Sequence, residues 1–174
     1  HMMNEARIGV GAQAIAVAAS AYEYALAYCR ERVQGQAISD FGNPEAPPVT
    51  INQHPDVRRM LMTMKCQVEA MRSMLYRLAH RFDLGRRTED EAERLKAFNR
   101  VELLTPILKS HCSDVGYDIS VMALQCFGGY GYIGEYPVEQ VVRDMKITSI
   151  YEGTNGIQAM DLIGRKLRQK NGAL

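Results

Sequence analysis

Between residues 57 and 82 apolar side chains recur at intervals of three and four: Val57, Met60, Leu61, Met64, Val68, Met71, Leu75, Leu78 and Phe82. An α-helix carries such positions on one face, whereas a strand would scatter them over both. An apolar stripe of that length has to be covered by elements of comparable length. The spacing therefore predicts a helix from about Asp56 to Leu84, stopped by Gly85, and it demands partner helices.

The rest of the chain supplies them. From Asn4 to Arg32 the sequence is Ala-rich, with Ile8, Ile15, Ala19, Tyr22 and Leu26 on one face. Gly9, Gly11 and the many alanines would let a neighbouring helix approach closely. A third helical region is predicted from about Glu89 to Phe127, entered through Thr88 and Glu91 at capping-box spacing. Pro106 inside it predicts a kink or a restart. A short helix is expected from about Pro137 to Met145. A last one should run from Thr154 or Asn155 to about Gln169, with Ile157, Met160, Ile163 and Leu167 as its inner face. The segment Gln34 to Pro55 holds Pro44, Pro47 and Pro48 and reads as a loop without regular structure. At about 20 residues it is longer than most connections, which marks it as functional. No segment alternates as a strand would. The expectation is an all-α, up-down bundle of four to six helices, one domain over residues 4–170. Residues 1–3 read as an expression remnant, and the chain as an excised piece of something longer.

Composition closes off several functions. There are 21 Lys and Arg against 20 Asp and Glu, so no field is built for nucleic acid or an anionic membrane. Cys29, Cys66, Cys112 and Cys126 lie far apart, with no CxxC pair and no Cys/His group at zinc spacing, so no metal is expected. They read as reduced, mostly core thiols of a cytoplasmic protein. No signal peptide and no run of membrane-spanning length is present.

Two motifs remain. Gly129-Tyr130-Gly131-Tyr132-Ile133-Gly134 spells GxGxxG, but that pattern cradles a dinucleotide only after a strand and at the start of a helix. Here it follows a helical segment, and Pro137 comes three residues later. It reads as a helix stop and turn whose glycines let backbone come close to a flat or phosphorylated ligand. The other motif is Ile147 to Gln158, ITSIYEGTNGIQ, where a single carboxylate, Glu152, stands between an apolar run and Gly153-Thr154. Spacing alone permits two readings of it: a favourable acid at a helix start, or a base held where something reactive can meet it.

The stretch QCFGGYGYIGEYPVEQVVRDMKITSIYEGTNGIQ, Gln125 to Gln158, resembles the C-terminal signature of the acyl-CoA dehydrogenases. The family pattern is a Gln ahead of a Gly-Gly pair, an aromatic, E-Y-P-[VL]-E, an Arg-Asp pair and I-Y-E-G-T-x-x-I-Q. The likeness extends over nearly the whole chain, including its first two helices. It implies the family's C-terminal helical domain without the N-terminal helical and middle β domains. It also implies that Glu152 is the base that removes a proton α to a thioester carbonyl, while a hydride leaves the β carbon for FAD. The Glu152 N–H would donate to the carbonyl oxygen, Gly153 would allow the sharp turn, and Thr154 would cap the last helix beside flavin and thioester. Such a base needs a water-poor cleft.

By the same resemblance Arg32 contacts the FAD pyrophosphate, with Gly35 nearby. Gln125, Gly128 and Gly129 approach its adenosine half, often from a neighbouring subunit. Arg7 lies near the CoA moiety, and Tyr151 lines the thioester site. Taken as residues alone, Arg32 could serve only a helix dipole, Arg7 could be solvated and Tyr151 could be core. The implied partners are an acyl-CoA, a homo-oligomer (dimer or tetramer) and an electron-transfer flavoprotein as acceptor, in fatty acid metabolism. Two departures stand out. Arg32-Val33-Gln34-Gly35 lacks the Phe of the family's Arg-x-x-Phe-Gly and is one residue shorter, and Pro55 replaces a frequent Gln. The shortened spelling and the Pro-rich loop resemble the branch of larger members to which methylthiopropanoyl-CoA dehydrogenases belong. The competing reading is a non-catalytic helical module for oligomerisation or nucleic-acid association. The fragment alone is expected to hold little flavin, to be inactive and to self-associate.

Overall fold

The structure, a computed structural model, describes residues 2–168. Five helices carry it: α1 (Met2–Glu31), α2 (Pro55–Arg87), α3 (Glu91–Phe127), α4 (Val138–Lys146) and α5 (Asn155–Gly164). α1, α2 and α3 pack against one another, and α4 and α5 lie on α3. The short turn between α2 and α3 makes them antiparallel neighbours, as expected for an up-down bundle.

The stripe that predicted α2 is buried largely as expected, with Met60, Leu61, Met64, Val68, Met71 and Leu78 in the core. Each such side chain contributes roughly 1.5–3 kcal/mol by leaving water. Against it α1 turns a face of Ala14, Ala18, Ala21, Ala25 and Cys29, all fully buried. Small side chains bring α1 and α3 close: a Cβ added at Gly11 would stand 3.0 Å from Leu108 Cγ. Gly9, expected to help, faces open space.

Four local expectations are corrected. Gly85 does not stop α2, which continues to Arg87 with Thr88 as its cap. Residue 85 is buried against the Phe98 ring instead, so the missing side chain serves packing. Asp90, not Thr88, caps α3: its carboxylate accepts from the Ala92 and Glu93 N–H groups at 2.9 and 3.4 Å. The Thr88 hydroxyl donates to Glu93 Oε2 at 3.1 Å and accepts from the Asp90 N–H at 3.3 Å, ahead of the helix rather than inside its first turn. α3 runs through Pro106 without the restart that was one of the two outcomes expected there, because packing along its length outweighs the one lost hydrogen bond. The Gln34–Pro55 segment contains a two-stranded antiparallel ribbon, β1 (Val33–Gln36) with β2 (Pro48–Thr50). Pro48 opens its strand, where no ladder donor is required of it.

The largest correction concerns α5. Ile157, Met160, Ile163 and Leu167, expected to face inward, are exposed, Met160 by 70%. The side chains that α5 and its C-terminal turn bury are Gln158 and Lys166. Periodicity says that an apolar face exists, not which surface covers it. Gln169, the expected end, lies outside the described residues; α5 ends at Gly164.

Candidate active site and cofactor cavity

The Glu152 loop joins a 3-10 turn at Ile147–Ser149 to α5. Glu152 has φ 54° and Gly153 φ 87°, two left-handed residues in succession. For Glu152, a non-glycine, that conformation costs roughly 1–3 kcal/mol and persists only where surroundings impose it. The surroundings are visible. The Glu152 carbonyl oxygen accepts from Arg7 Nε and from Gln158 Nε2, each at 3.4 Å. Gln158 Nε2 also donates to the Gly153 carbonyl at 3.1 Å. A Cβ at position 153 would come within 2.7 Å of that nitrogen, so both space and φ call for glycine. Thr154 caps α5 as expected, its hydroxyl accepting from the Ile157 N–H at 3.3 Å.

The side chains behind the loop are polar and buried. Arg7, expected near a ligand or in solvent, pairs with Asp161 at 3.2 Å, and both side chains are largely covered. The Asp161 carboxyl is held below the usual carboxylate range, first by the hydrogen bond from Arg165, with burial opposing and further cations assisting. Lys109 is fully buried and donates from Nζ to Asn155 Oδ1 at 3.0 Å. Burial pushes its ammonium below the usual lysine range; Asp114 opposes and Arg7 adds to that shift. The Tyr151 hydroxyl bonds Gln13 on α1. Glu152 itself is exposed. Among the described residues neither its carboxylate nor its N–H has a hydrogen-bond partner. The loop is thus clamped by its carbonyls while its reactive groups stay free. The water-poor surroundings expected for the base are not supplied by the described residues.

The remaining expected residues meet elsewhere. Arg32, Gly35, Gln125, Gly128 and Gly129 line one cavity of about 640 Å³ between the ends of α1 and α3 and the ribbon. Gly128, φ 58°, ends α3, and a Cβ on Gly128 or Gly129 would meet open space. The Arg32 guanidinium lies 5.3 Å over the Tyr130 ring. Tyr28 stacks on Phe127 at 4.1 Å. His54 Nε2 lies 2.7 Å from the Gln34 carbonyl oxygen, tying β1 to the start of α2. The GxGxxG segment forms a 3-10 turn after a helix, not a strand-to-helix phosphate loop. Thr154, grouped with the cofactor residues in the sequence, sits with Glu152 instead. On one protomer the two places are far apart: Arg7 and Tyr28 lie at opposite ends of α1, about 31 Å at 1.5 Å per residue.

The family model for the acyl-CoA dehydrogenase C-terminal domain matches residues 1–167. The chain belongs to the acyl-CoA dehydrogenase family. A butyryl-CoA dehydrogenase of Syntrophomonas wolfei is 42% identical over 171 residues, 98% of this chain and 28% of that protein. A 3-methylmercaptopropionyl-CoA dehydrogenase of Ruegeria pomeroyi is 39% identical over 171 residues, with the same coverage. The solved structure of butyryl-CoA dehydrogenase from Megasphaera elsdenii superposes with a TM-score of 0.72 at 34% identity, over 95% of this chain and 37% of that one. The chain thus spans under a third of the curated relatives just named.

In this acyl-CoA dehydrogenase domain, the residues that sequence reasoning missed are those that hold others. Gln13, Lys109, Asn155, Gln158 and Asp161 secure the Glu152 loop, and Tyr28, Tyr130 and His54 shape the cavity. Lys109 had a usable signal, lying on the α3 face with Thr105, Cys112 and Gly116, where a charge is out of place. No pattern marked the others. Cys29, Cys112 and Cys126 are buried as expected, but Cys66 is exposed. Burial pushes the Cys112 thiol up to about 12. Among the described residues no acidic, His or Cys group could hold a metal, and no helix is long and apolar enough to cross a membrane.

Proposed function

We propose that this domain works within a flavin-dependent acyl-CoA dehydrogenase, with Glu152 as the base that takes the α-proton of an acyl-CoA thioester. The observation that carries the reading is the clamped loop. Two donors hold the Glu152 carbonyl, so the carboxylate is aimed without being engaged. An α-proton is weakly acidic, and its removal needs a carboxylate at contact distance and donors for the charge that develops on the carbonyl oxygen. The free Glu152 N–H, beside the positive end of α5, is such a donor. Gly153 lets substrate approach the turn, and Tyr151 lines it. The wall that excludes water comes from parts of the protein beyond these residues.

FAD, when bound, supplies the acceptor for the β-hydride. The 640 Å³ cavity fits part of such a dinucleotide: Arg32 offers a cation to the pyrophosphate, Gln125 hydrogen bonds, Gly35, Gly128 and Gly129 exposed backbone, and Tyr28 and Tyr130 aromatic walls. Thr154 keeps the N-terminus of α5 turned toward the flavin end of the site. Because Arg7, beside the base, and Tyr28, in the cavity, lie about 31 Å apart along α1, the cavity of one subunit serves a cofactor whose reactive end meets Glu152 of another. The protein is therefore a homo-oligomer, a dimer or tetramer. An electron-transfer flavoprotein is its acceptor, fatty acid metabolism its setting and the cytoplasm its compartment.

The test uses the full-length, flavin-loaded protein. Glu152→Gln should bind acyl-CoA yet lower the rate of flavin bleaching by about 10²–10⁴-fold. Bleaching at close to the wild-type rate would remove Glu152 from the base role.

A further inference from the structure

Lys109 is the residue of this domain with the least obvious reason to exist. It is fully buried in the middle of α3. An ammonium taken out of water is costly, and in a purely structural position an apolar side chain of similar shape is often as good or better. Among the described residues Lys109 has no carboxylate within ion-pair distance. Its ammonium donates instead to the amide oxygen of Asn155, at 3.0 Å. The same amide turns its nitrogen to Asp114 Oδ1 at 2.7 Å and to Ser113 Oγ at 2.9 Å. The ion pair between Lys109 and Asp114 is thus relayed through one amide group. The other charges near Lys109 are Arg7 from α1 and, beyond it, the Asp161–Arg165 pair from the end of α5.

Asn155 is the first residue of α5 and follows Glu152-Gly153-Thr154 directly. Fixing its side chain against α3 fixes the height and rotation of the first turn of α5. That turn carries the Thr154 cap and, one step back, the two left-handed residues. α5 buries little apolar surface that could do this job, since its hydrophobic stripe faces outward. We propose that Lys109 is a positioning residue for the dehydrogenation: acting through Asn155, and with Asp114 as counter-charge, it sets the backbone position from which Glu152 meets the α-carbon. This inference deepens the reading of Glu152 as the base and rests on it. It accounts for three features together: a lysine buried whole, an amide bonded at both ends, and a strained loop on a helix without its own apolar anchor.

The experiment compares Lys109→Met, Asn155→Ala and the double variant in the full-length, flavin-loaded protein, with Ser120→Ala as control. Ser120 is buried and donates to the Gly116 carbonyl, away from the loop. Two quantities are read: the rate of flavin reduction by a saturated acyl-CoA, and affinity for the 2-enoyl-CoA product, taken from the flavin spectrum. Each single variant should lose roughly 10- to 100-fold in reduction rate, the scale of a small misplacement of a reacting group. Affinity for product should stay within about threefold, as expected for a loss confined to the transition state. Because both residues act through one chain, the double variant should be no slower than the worse single. Ser120→Ala should reduce like the wild type. Near wild-type reduction in Lys109→Met, or losses that multiply in the double variant, would overturn the proposal. If Lys109→Met fails to hold flavin, Asn155→Ala and Asp114→Asn carry the same test from less buried positions, and wild-type rates in both would overturn it. Glu152→Gln is run alongside. If it still bleaches flavin, the base assignment fails; if it is dead while the Lys109 and Asn155 variants behave as wild type, only the positioning role fails.

Discussion

The two ends of α1 meet different demands with different means. At the Arg7 end a loop is forced into left-handed backbone and held by Arg7, Gln158 and the Asn155 network, so that one exposed carboxylate is well placed. At the Tyr28 end a cavity is left open, and its Gly128 and Gly129 face space rather than neighbours. One end is tight because geometry has to be imposed; the other is roomy because a large ligand has to be admitted. The same residue type shows the contrast. Gly153 and Gly128 both have positive φ, but a Cβ would collide only at Gly153.

That contrast can be broken most severely with glycine substitutions. Both Gly153→Ala and Gly128→Ala should lose roughly 1–3 kcal/mol for the backbone conformation. Gly153→Ala should also displace Gln158 and cut flavin reduction in the full-length protein by about 10²-fold or more. Chemical denaturation and stopped-flow reduction check both, and equal effects at the two sites would show that the tight end is not tight. Next in size, Arg32→Ala should weaken flavin retention by roughly 10- to 100-fold, the worth of a hydrogen bond to a charged group. This is read by equilibrium dialysis, and undiminished retention would detach the cavity from the cofactor.

A smaller effect is expected in the pH dependence of stability. The folded Asp161 carboxyl titrates below its unfolded value, so the folded state binds fewer protons as pH falls through the usual carboxylate range. Its contribution is present above the unfolded pKa, near 3.8, and is lost as pH drops from there through the lower folded value. Melting temperatures of Asp161→Asn should therefore lie below wild type at neutral pH and converge with it in acid; parallel curves would contradict this. The smallest effect is expected on the outer face of α5. Met160→Glu should change domain stability by no more than about 0.5 kcal/mol but lower self-association of the isolated domain in light scattering, because it interrupts an exposed apolar patch.

Much of this was legible in the sequence, and the failures have a common cause. The α2 stripe, the close approach that Gly11 and alanines allow at α1 and the Thr154 cap follow from local rules: period, side-chain size and the orphan N–H groups at a helix start. The α1 face expected, Ile8, Ile15, Ala19, Tyr22 and Leu26, is apart from Ile15 only partly buried, beside the alanines that are fully buried. The Glu152 motif was legible as a resemblance, and the residues expected around it were found together. What was misread is what depends on a partner. Gly85 looked like a stop because the Phe98 ring that it accommodates is remote in sequence. Asp90 overtook Thr88 because both can cap and only the path of the turn decides between them. The α5 stripe was turned inward because a periodic face carries no sign of what will cover it.

The sequence by itself determined that this chain is helical, roughly where each helix lies, and that a lone glutamate stands before the last one. Those outcomes rest on interactions between residues a few positions apart. Only the tertiary structure decided that Arg7 braces the loop, that Lys109 and Asp114 share one amide, and that base and cavity lie at opposite ends of α1. Such pairings join residues many tens of positions apart, and they arise where packed helices bring buried polar groups together that must find partners once water is excluded.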